Sequence, residues 1–137
     1  MRTGGCLCGA VRFSAETGDS FGICHCEQCR RWAGGPLIAI TVAEDAMRIE
    51  AGETVVSRRT SGWASRSHCG TCGSPLWYRF DKGTDGAGPY EVPLGLLDDT
   101  TGLTLRREIF TDQSMADLHY QGSHERLDSA QTRALYG

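Results

Sequence analysis

The chain has 137 residues, 39% of them hydrophobic, with 18 glycines and a formal net charge of −3. That length fits one domain over residues 1–137 with a modest core, and the charge gives no general attraction for phosphate, so nucleic acid is a poor partner. No apolar stretch approaches the roughly 20 residues of a membrane span, and Met1-Arg2-Thr3-Gly4-Gly5 lacks the apolar core of a leader, so a cytoplasmic protein is expected with no membrane partner.

In chain order, Leu7, Val11 and Phe13 fall on odd positions, which predicts a short strand interrupted by glycine. Phe21 to Cys24 is short and apolar, and Cys24 to Ala33 starts from a strand end and winds into a helical turn that Gly34-Gly35-Pro36 stops. Leu37 to Val42 is a continuous β-like run and Ala46 to Glu50 alternates, so both are predicted strands. Glu53 to Thr60, Ser65 to His68 and Ser74 to Phe80 read as further short strands, the last two separated by a knuckle at Cys69 to Gly73. Asp81 to Pro89 is a Gly-rich loop, Tyr90 to Leu97 a strand and Asp98 to Gly102 a turn. Asp128 with Gln131 resembles a capping box before a short C-terminal helix. Several short strands at close spacing predict a mainly β class, a sheet assembly with a helical turn after Cys24 to Cys29 and a short C-terminal helix.

The seven cysteines carry the chemistry. An odd number cannot pair completely, and clustered thiols in a reducing compartment point to metal or catalysis rather than disulfides. Cys69-x-x-Cys72 is knuckle spacing, with Gly70 and Gly73 relieving the backbone. Cys6-x-Cys8 presents two sulfurs to one face if the segment is extended, and Cys24-x-Cys26-x-x-Cys29 can present three to a single ion. Zinc prefers such thiolates in tetrahedra, and two closed tetrahedra need eight ligands. Seven ligands therefore predict two Zn²⁺, one closed and one with an open position or a fourth ligand such as His25 or His68. Two partitions satisfy the spacing: Cys6, Cys8, Cys69 and Cys72 with the triad apart, or Cys26, Cys29, Cys69 and Cys72 as a zinc ribbon.

Gly5-Cys6-Leu7-Cys8-Gly9-Ala10-Val11, Cys24-His25-Cys26-x-x-Cys29-Arg30-Arg31 and Cys69-Gly70-x-Cys72-Gly73-Ser74-Pro75-Leu76 together resemble the glutathione-dependent formaldehyde-activating family, also called the centromere protein V domain family. Leu94 to Asp99 and Glu108-Ile109-Phe110 are similar to its pattern too. The resemblance implies a small zinc-bound assembly of coiled antiparallel β-sheets, with a structural zinc on Cys6, Cys8, Cys69 and Cys72 and a catalytic zinc on Cys24, Cys26 and Cys29. It also implies a carbon–sulfur lyase-type reaction joining a glutathione-like thiol to a small aldehyde such as formaldehyde. Many relatives carry a Trp after the Ile-Phe segment, where this chain has Met115 to Tyr120.

Arg30 and Arg31 are candidates for pairing with substrate carboxylates, since a guanidinium binds them bidentately. His25, between two ligands, is expected to face away from the metal, His119 and His124 to be solvated, and Trp32, Trp63 and Trp77 to belong to the core. Two classes of function compete at this point. One is the thiol-dependent enzyme; the other is a binding module in which both zincs only brace a β scaffold.

Overall fold

A computed structural model describes residues 1–136 and shows a mainly β protein. In chain order the elements are β1 (Arg2–Gly5), β2 (Arg12–Ala15), β3 (Ser20–Cys24), α1 (Glu27–Ala33), β4 (Leu37–Val42), β5 (Met47–Ala51), β6 (Val55–Arg59), β7 (Ala64–Cys69), β8 (Pro75–Phe80), β9 (Tyr90–Pro93), β10 (Thr104–Ile109), β11 (Glu125–Arg126) and α2 (Ser129–Tyr136). Single 3₁₀ turns lie at Glu44–Ala46, Leu94–Leu96 and Thr111–Gln113. Among the described residues no helix is long and apolar enough to cross a membrane.

The chain divides into two compact units, residues 1–18 with 40–102 and residues 19–39 with 103–137. β4 contributes to both.

In the first unit, β1, β2 and β5 form an antiparallel three-stranded sheet, and β7 pairs antiparallel with β6 on one side and β8 on the other, β8 continuing to β9. Its core is Val11, Phe13, Ile40, Val42, Leu76, Trp77 and Val92, each nearly or wholly buried and each contributing roughly 1.5–3 kcal/mol by leaving water. Phe13 meets Trp77 edge-on at 6.0 Å, and Trp77 meets Tyr90 likewise at 5.7 Å. Gly4 permits this packing: a Cβ there would stand 2.6 Å from the Phe13 ring and 2.5 Å from the Leu96 carbonyl oxygen.

In the second unit β10 lies between β3 and β11, parallel to both, and β3 pairs antiparallel with the start of β4. α1 ends where the sequence requires, with Gly34 in the left-handed region at φ 79° donating its N–H to the Arg30 carbonyl. The capping box is reciprocal, with Gln131 N–H donating to Asp128 Oδ1 at 2.8 Å and Asp128 N–H to Gln131 Oε1 at 2.9 Å.

Three expectations change. The predicted strand through Leu7 is two strands, β1 and β2, with residues 6–11 as their connection; Leu7 is 87% exposed. Tyr90 to Leu97 is strand only to Pro93, because Leu94–Leu96 turns as 3₁₀. Trp63 is about half exposed at the Ala64 end of β7 rather than in the core.

The paired acids Asp98 and Asp99 serve the turn. Arg12 Nη2 donates to Asp98 Oδ2 at 2.5 Å and Thr101 N–H to Asp99 Oδ1 at 2.9 Å. The Arg12 bond, helped by Thr3, holds the Asp98 carboxyl down at about 2.

Glu91 on β9 is the opposite case. Burial pushes its carboxyl up to about 7, against a smaller opposing effect from the Thr41 hydroxyl, which donates at 2.9 and 3.0 Å. A folded pKa above the unfolded value of about 4.5 means that this contribution to stability is fully present below pH 4.5 and lost as pH rises through 7. Glu91→Gln is expected to gain stability relative to the parent between pH 5 and 8, by on the order of 3 kcal/mol at most. Urea unfolding across that range measures it, and a difference independent of pH would contradict the assignment.

Candidate metal centres

The first cluster joins the β1–β2 turn to the knuckle after β7. Gly9 takes φ 83°, and its N–H donates to the Cys6 carbonyl at 3.2 Å, so a turn rather than an extended strand brings Cys6 and Cys8 together. Across from it, Gly73 takes φ 81° and its N–H donates to the Cys69 carbonyl at 2.8 Å, closing the knuckle.

The four sulfurs Cys6, Cys8, Cys69 and Cys72 all lie within 4.8 Å of one another. Cys6 Sγ and Cys8 Sγ are 3.6 Å apart, and Cys8 Sγ and Cys69 Sγ 3.9 Å. Thiolates on a tetrahedron around zinc, each about 2.3 Å from the ion, stand about 3.8 Å apart, whereas a disulfide closes to about 2.0 Å. None of the seven cysteines is joined in a disulfide.

The surroundings favour sulfur as thiolate. Val11 N–H donates to Cys6 Sγ at 3.3 Å, the Thr54 hydroxyl stands 3.4 Å from Cys69 Sγ and the Ser74 hydroxyl 3.2 Å from Cys72 Sγ. The Ser74 hydroxyl bond is the main reason the Cys72 thiol falls to about 5, and the Thr54 bond lowers that of Cys69. Cys8 is pushed up to about 11: its largest influence, a backbone hydrogen bond at Ala10, lowers it, but desolvation and the crowding of Cys6, Cys72 and Cys69 prevail. Thiolates this close would repel one another, and a cation among them would relieve it.

The second cluster is built on one stretch of chain. Cys24 ends β3, Cys26 is the N-cap of α1 and Cys29 lies buried in its first turn. Their sulfurs also lie within 4.8 Å of one another, and Cys29 N–H donates to Cys26 Sγ at 3.5 Å. Hydrogen bonding to Cys26 and Cys29, followed by burial, drives the Cys24 thiol strongly upward. Three crowded thiols of this kind ionise together only beside a positive ion, so the donor set fits zinc.

Among the described residues the group stops at three: no ring nitrogen of His25 or His68 and no carboxylate joins it. The zinc-ribbon partition is absent, since Cys26 and Cys29 group with Cys24 while Cys69 and Cys72 group with Cys6 and Cys8.

The end of β10 and the turn after it shape this loop. The Ile109 carbonyl accepts the His25 N–H at 3.1 Å, and Gln113 Oε1 accepts the Glu27 N–H at 3.0 Å. His25 is buried, with Nε2 2.7 Å from Glu108 Oε1. Glu108 is itself buried and also meets His124 Nε2 and, at 3.1 Å, Arg126 Nε. Desolvation alone would raise the Glu108 carboxyl, but the hydrogen bonds from His124 and His25 hold it below its usual value. The solvated position expected for His124 is therefore wrong: its side chain is 2% exposed because Glu108 binds it, whereas His119 is exposed. Spacing gave no sign of this cluster, whose members come from β3, β10 and the end of the chain; the only trace was Glu108-Ile109-Phe110.

The two arginines after the triad differ. Arg31 Nε donates to Glu27 Oε1 at 3.0 Å, an exposed pair along the helix. Arg30 Nε is buried and has no hydrogen-bond partner.

Residues 1–113 match the model of a family described as glutathione-dependent formaldehyde-activating enzyme. A Schizosaccharomyces pombe protein named as an uncharacterized lyase is 28% identical over 110 residues, 80% of this chain and 77% of that one. A Halomonas elongata protein provisionally named as a glutathione-dependent formaldehyde-activating enzyme is 35% identical over 83 residues; the match spans 54% of this chain and about half, 53%, of that one. A crystal structure of a Rhodobacter sphaeroides protein superposes with a TM-score of 0.56 at 20% identity, covering 90% of this chain and 98% of that chain, and so shares the fold.

The protein loaded with zinc is expected to carry two equivalents, Cys69→Ser one and Cys29→Ser one. Metal analysis after desalting checks this. Two equivalents persisting in either variant would refute the grouping into four and three.

Proposed function

The chain belongs to the glutathione-dependent formaldehyde-activating enzyme family, and on that premise we propose that it is a zinc-dependent carbon–sulfur lyase-type enzyme acting on a glutathione-like thiol and a small aldehyde such as formaldehyde. In this reading Cys6, Cys8, Cys69 and Cys72 hold a structural zinc, and Cys24, Cys26 and Cys29 hold the catalytic one. The single observation that supports catalysis over a purely bracing role is the three-sulfur group, which gathers no fourth His, Cys, Asp or Glu ligand among the described residues. The reading also takes the protein as cytoplasmic, which seven cysteines outside any disulfide suit, and residues 1–137 as one domain, which the family match over residues 1–113 supports.

Zinc held by three thiolates offers one further position and lowers the pKa of a thiol placed there, which makes a nucleophilic sulfur available at neutral pH. The overall reaction forms a sulfur–carbon bond as the aldehyde C=O π bond opens, and the thiol proton ends on the aldehyde oxygen. The reverse breaks the same bond.

This chain's residues hold and orient. Cys26 caps α1, so its sulfur is fixed by the Cys29 N–H as well as by the turn. Arg30 Nε, a buried donor with no protein acceptor, suits a substrate carboxylate, and Arg31, held by Glu27, suits it less.

Cys26→Ser is expected to reduce adduct formation to the spontaneous rate, measured by exchange spectroscopy on labelled formaldehyde and thiol. Full activity after loss of one zinc would show the mechanism to be wrong. Arg30→Ala is expected to raise KM for a carboxylate-bearing thiol about tenfold, the loss of roughly 1.4 kcal/mol of binding, while Arg31→Ala changes it less than twofold. Equal KM for both variants would remove Arg30 from the site.

A further inference from the structure

The buried hub around Glu108 is used by none of the chemistry above. One carboxylate oxygen faces His25 Nε2 at 2.7 Å, and the other faces His124 Nε2 and, at 3.1 Å, Arg126 Nε. An ionised carboxylate only accepts, so both imidazoles donate Nε2–H to it. The opposite nitrogen of His25, Nδ1, is buried and has no partner. Ring orientation at His25 is thus fixed at one end by Glu108, with the Tyr120 ring tilted against it at 6.2 Å.

His25 separates Cys24 from Cys26, and its backbone N–H is already taken by the Ile109 carbonyl, one residue beyond Glu108. β3 and β10 stand in register there, Glu108 opposite Ile23 and Ile109 opposite Cys24. His25 is therefore held twice, through its side chain by Glu108 and through its main chain by Ile109. Arg126 also donates to the Tyr120 carbonyl, which closes residues 120–126 over the same ring. These residues lie beyond the span, 1–113, that the family model matches.

We propose that Glu108 is a positioning residue for the three-cysteine centre: through His25 it sets the separation of the Cys24 and Cys26 sulfurs, and the segment carrying His124 and Arg126 is the strap that keeps it in place. The inference rests on the reading that Cys24, Cys26 and Cys29 hold zinc. Partners of this kind around metal ligands change affinity by about 10–100-fold when removed.

The test titrates zinc from the full chain with a chromophoric chelator and, in parallel, records the thiolate charge-transfer band after cobalt replacement. A parent protein that takes up one metal instead of two defeats the reading of the second centre, independently of Glu108. With two metals present, Glu108→Gln is expected to weaken the second by about tenfold or more and to alter its cobalt band, with the first unchanged. A folded Glu108→Gln whose second affinity stays within twofold of the parent overturns the proposal. If that variant loses the first centre as well, His25 decides. His25→Gln places an amide N–H near the imidazole Nε2–H and is expected to stay within about threefold of the parent, whereas His25→Ala follows the tenfold loss. Parent-like affinity in His25→Ala, or equal losses in the two variants, would likewise overturn it.

Discussion

Mutual repulsion among crowded sulfurs is the constraint on which the rest depends. Bringing Cys6, Cys8, Cys69 and Cys72 to within 4.8 Å of one another is unfavourable for four thiolates unless a cation lies among them. The backbone has to be bent to achieve it, which is why Gly9 and Gly73 sit in the left-handed region on either side of the cluster. Hydroxyls from Thr54 and Ser74 and the N–H of Val11 then disperse the charge. In a unit whose core is as modest as Phe13, Leu76, Trp77 and their neighbours, a metal held by this cluster would tie residue 6 to residue 72, and so sheet to sheet, where apolar burial alone would be thin.

The second cluster solves the same problem differently. Its ligands are local, so its geometry comes from neighbouring strands rather than from a long closure. β10 supplies the Ile109 carbonyl, the turn after it supplies Gln113, and Glu108 adds a side-chain bond, so three residues of one segment hold two residues of the loop, His25 and Glu27. Among the described residues the first cluster gathers four sulfurs and the second three, and under the proposed function that difference would separate a brace from a reactive centre.

Local features were legible in the sequence and non-local ones were not. The Asp128–Gln131 capping box and the stop at Gly34 depend on residues three or four apart, and both stand in the structure as read. Cysteine spacing marked all three clusters but left two partitions, because choosing between them requires knowing which turns meet in space. The turn at Cys6 to Gly9 was misread as strand, since alternation at Leu7, Val11 and Phe13 imitates a period of two while Leu7 is exposed. His124 was misread as solvated because its polar sequence neighbours gave no hint of a carboxylate 16 residues earlier. Glu108 and His25, 83 residues apart, could be joined only by the parallel register of β3 and β10.

That register has a consequence for the order of events during synthesis. Cys24, Cys26 and Cys29 leave the ribosome early, yet the segment that orders their loop runs from Glu108 to Arg126. At about 5–20 residues per second, roughly 5–20 s pass between the two. Parallel pairing across so long a separation is also slow to form, since the chain between must be closed before any contact rewards it. Through that interval the triad lacks the bonds that order its loop, whereas the four cysteines of the first cluster are all present once Cys72 has emerged. The two centres should therefore mature in sequence, and an oxidant or a competing soft metal met by the nascent chain would damage the three-cysteine loop before its strap arrives.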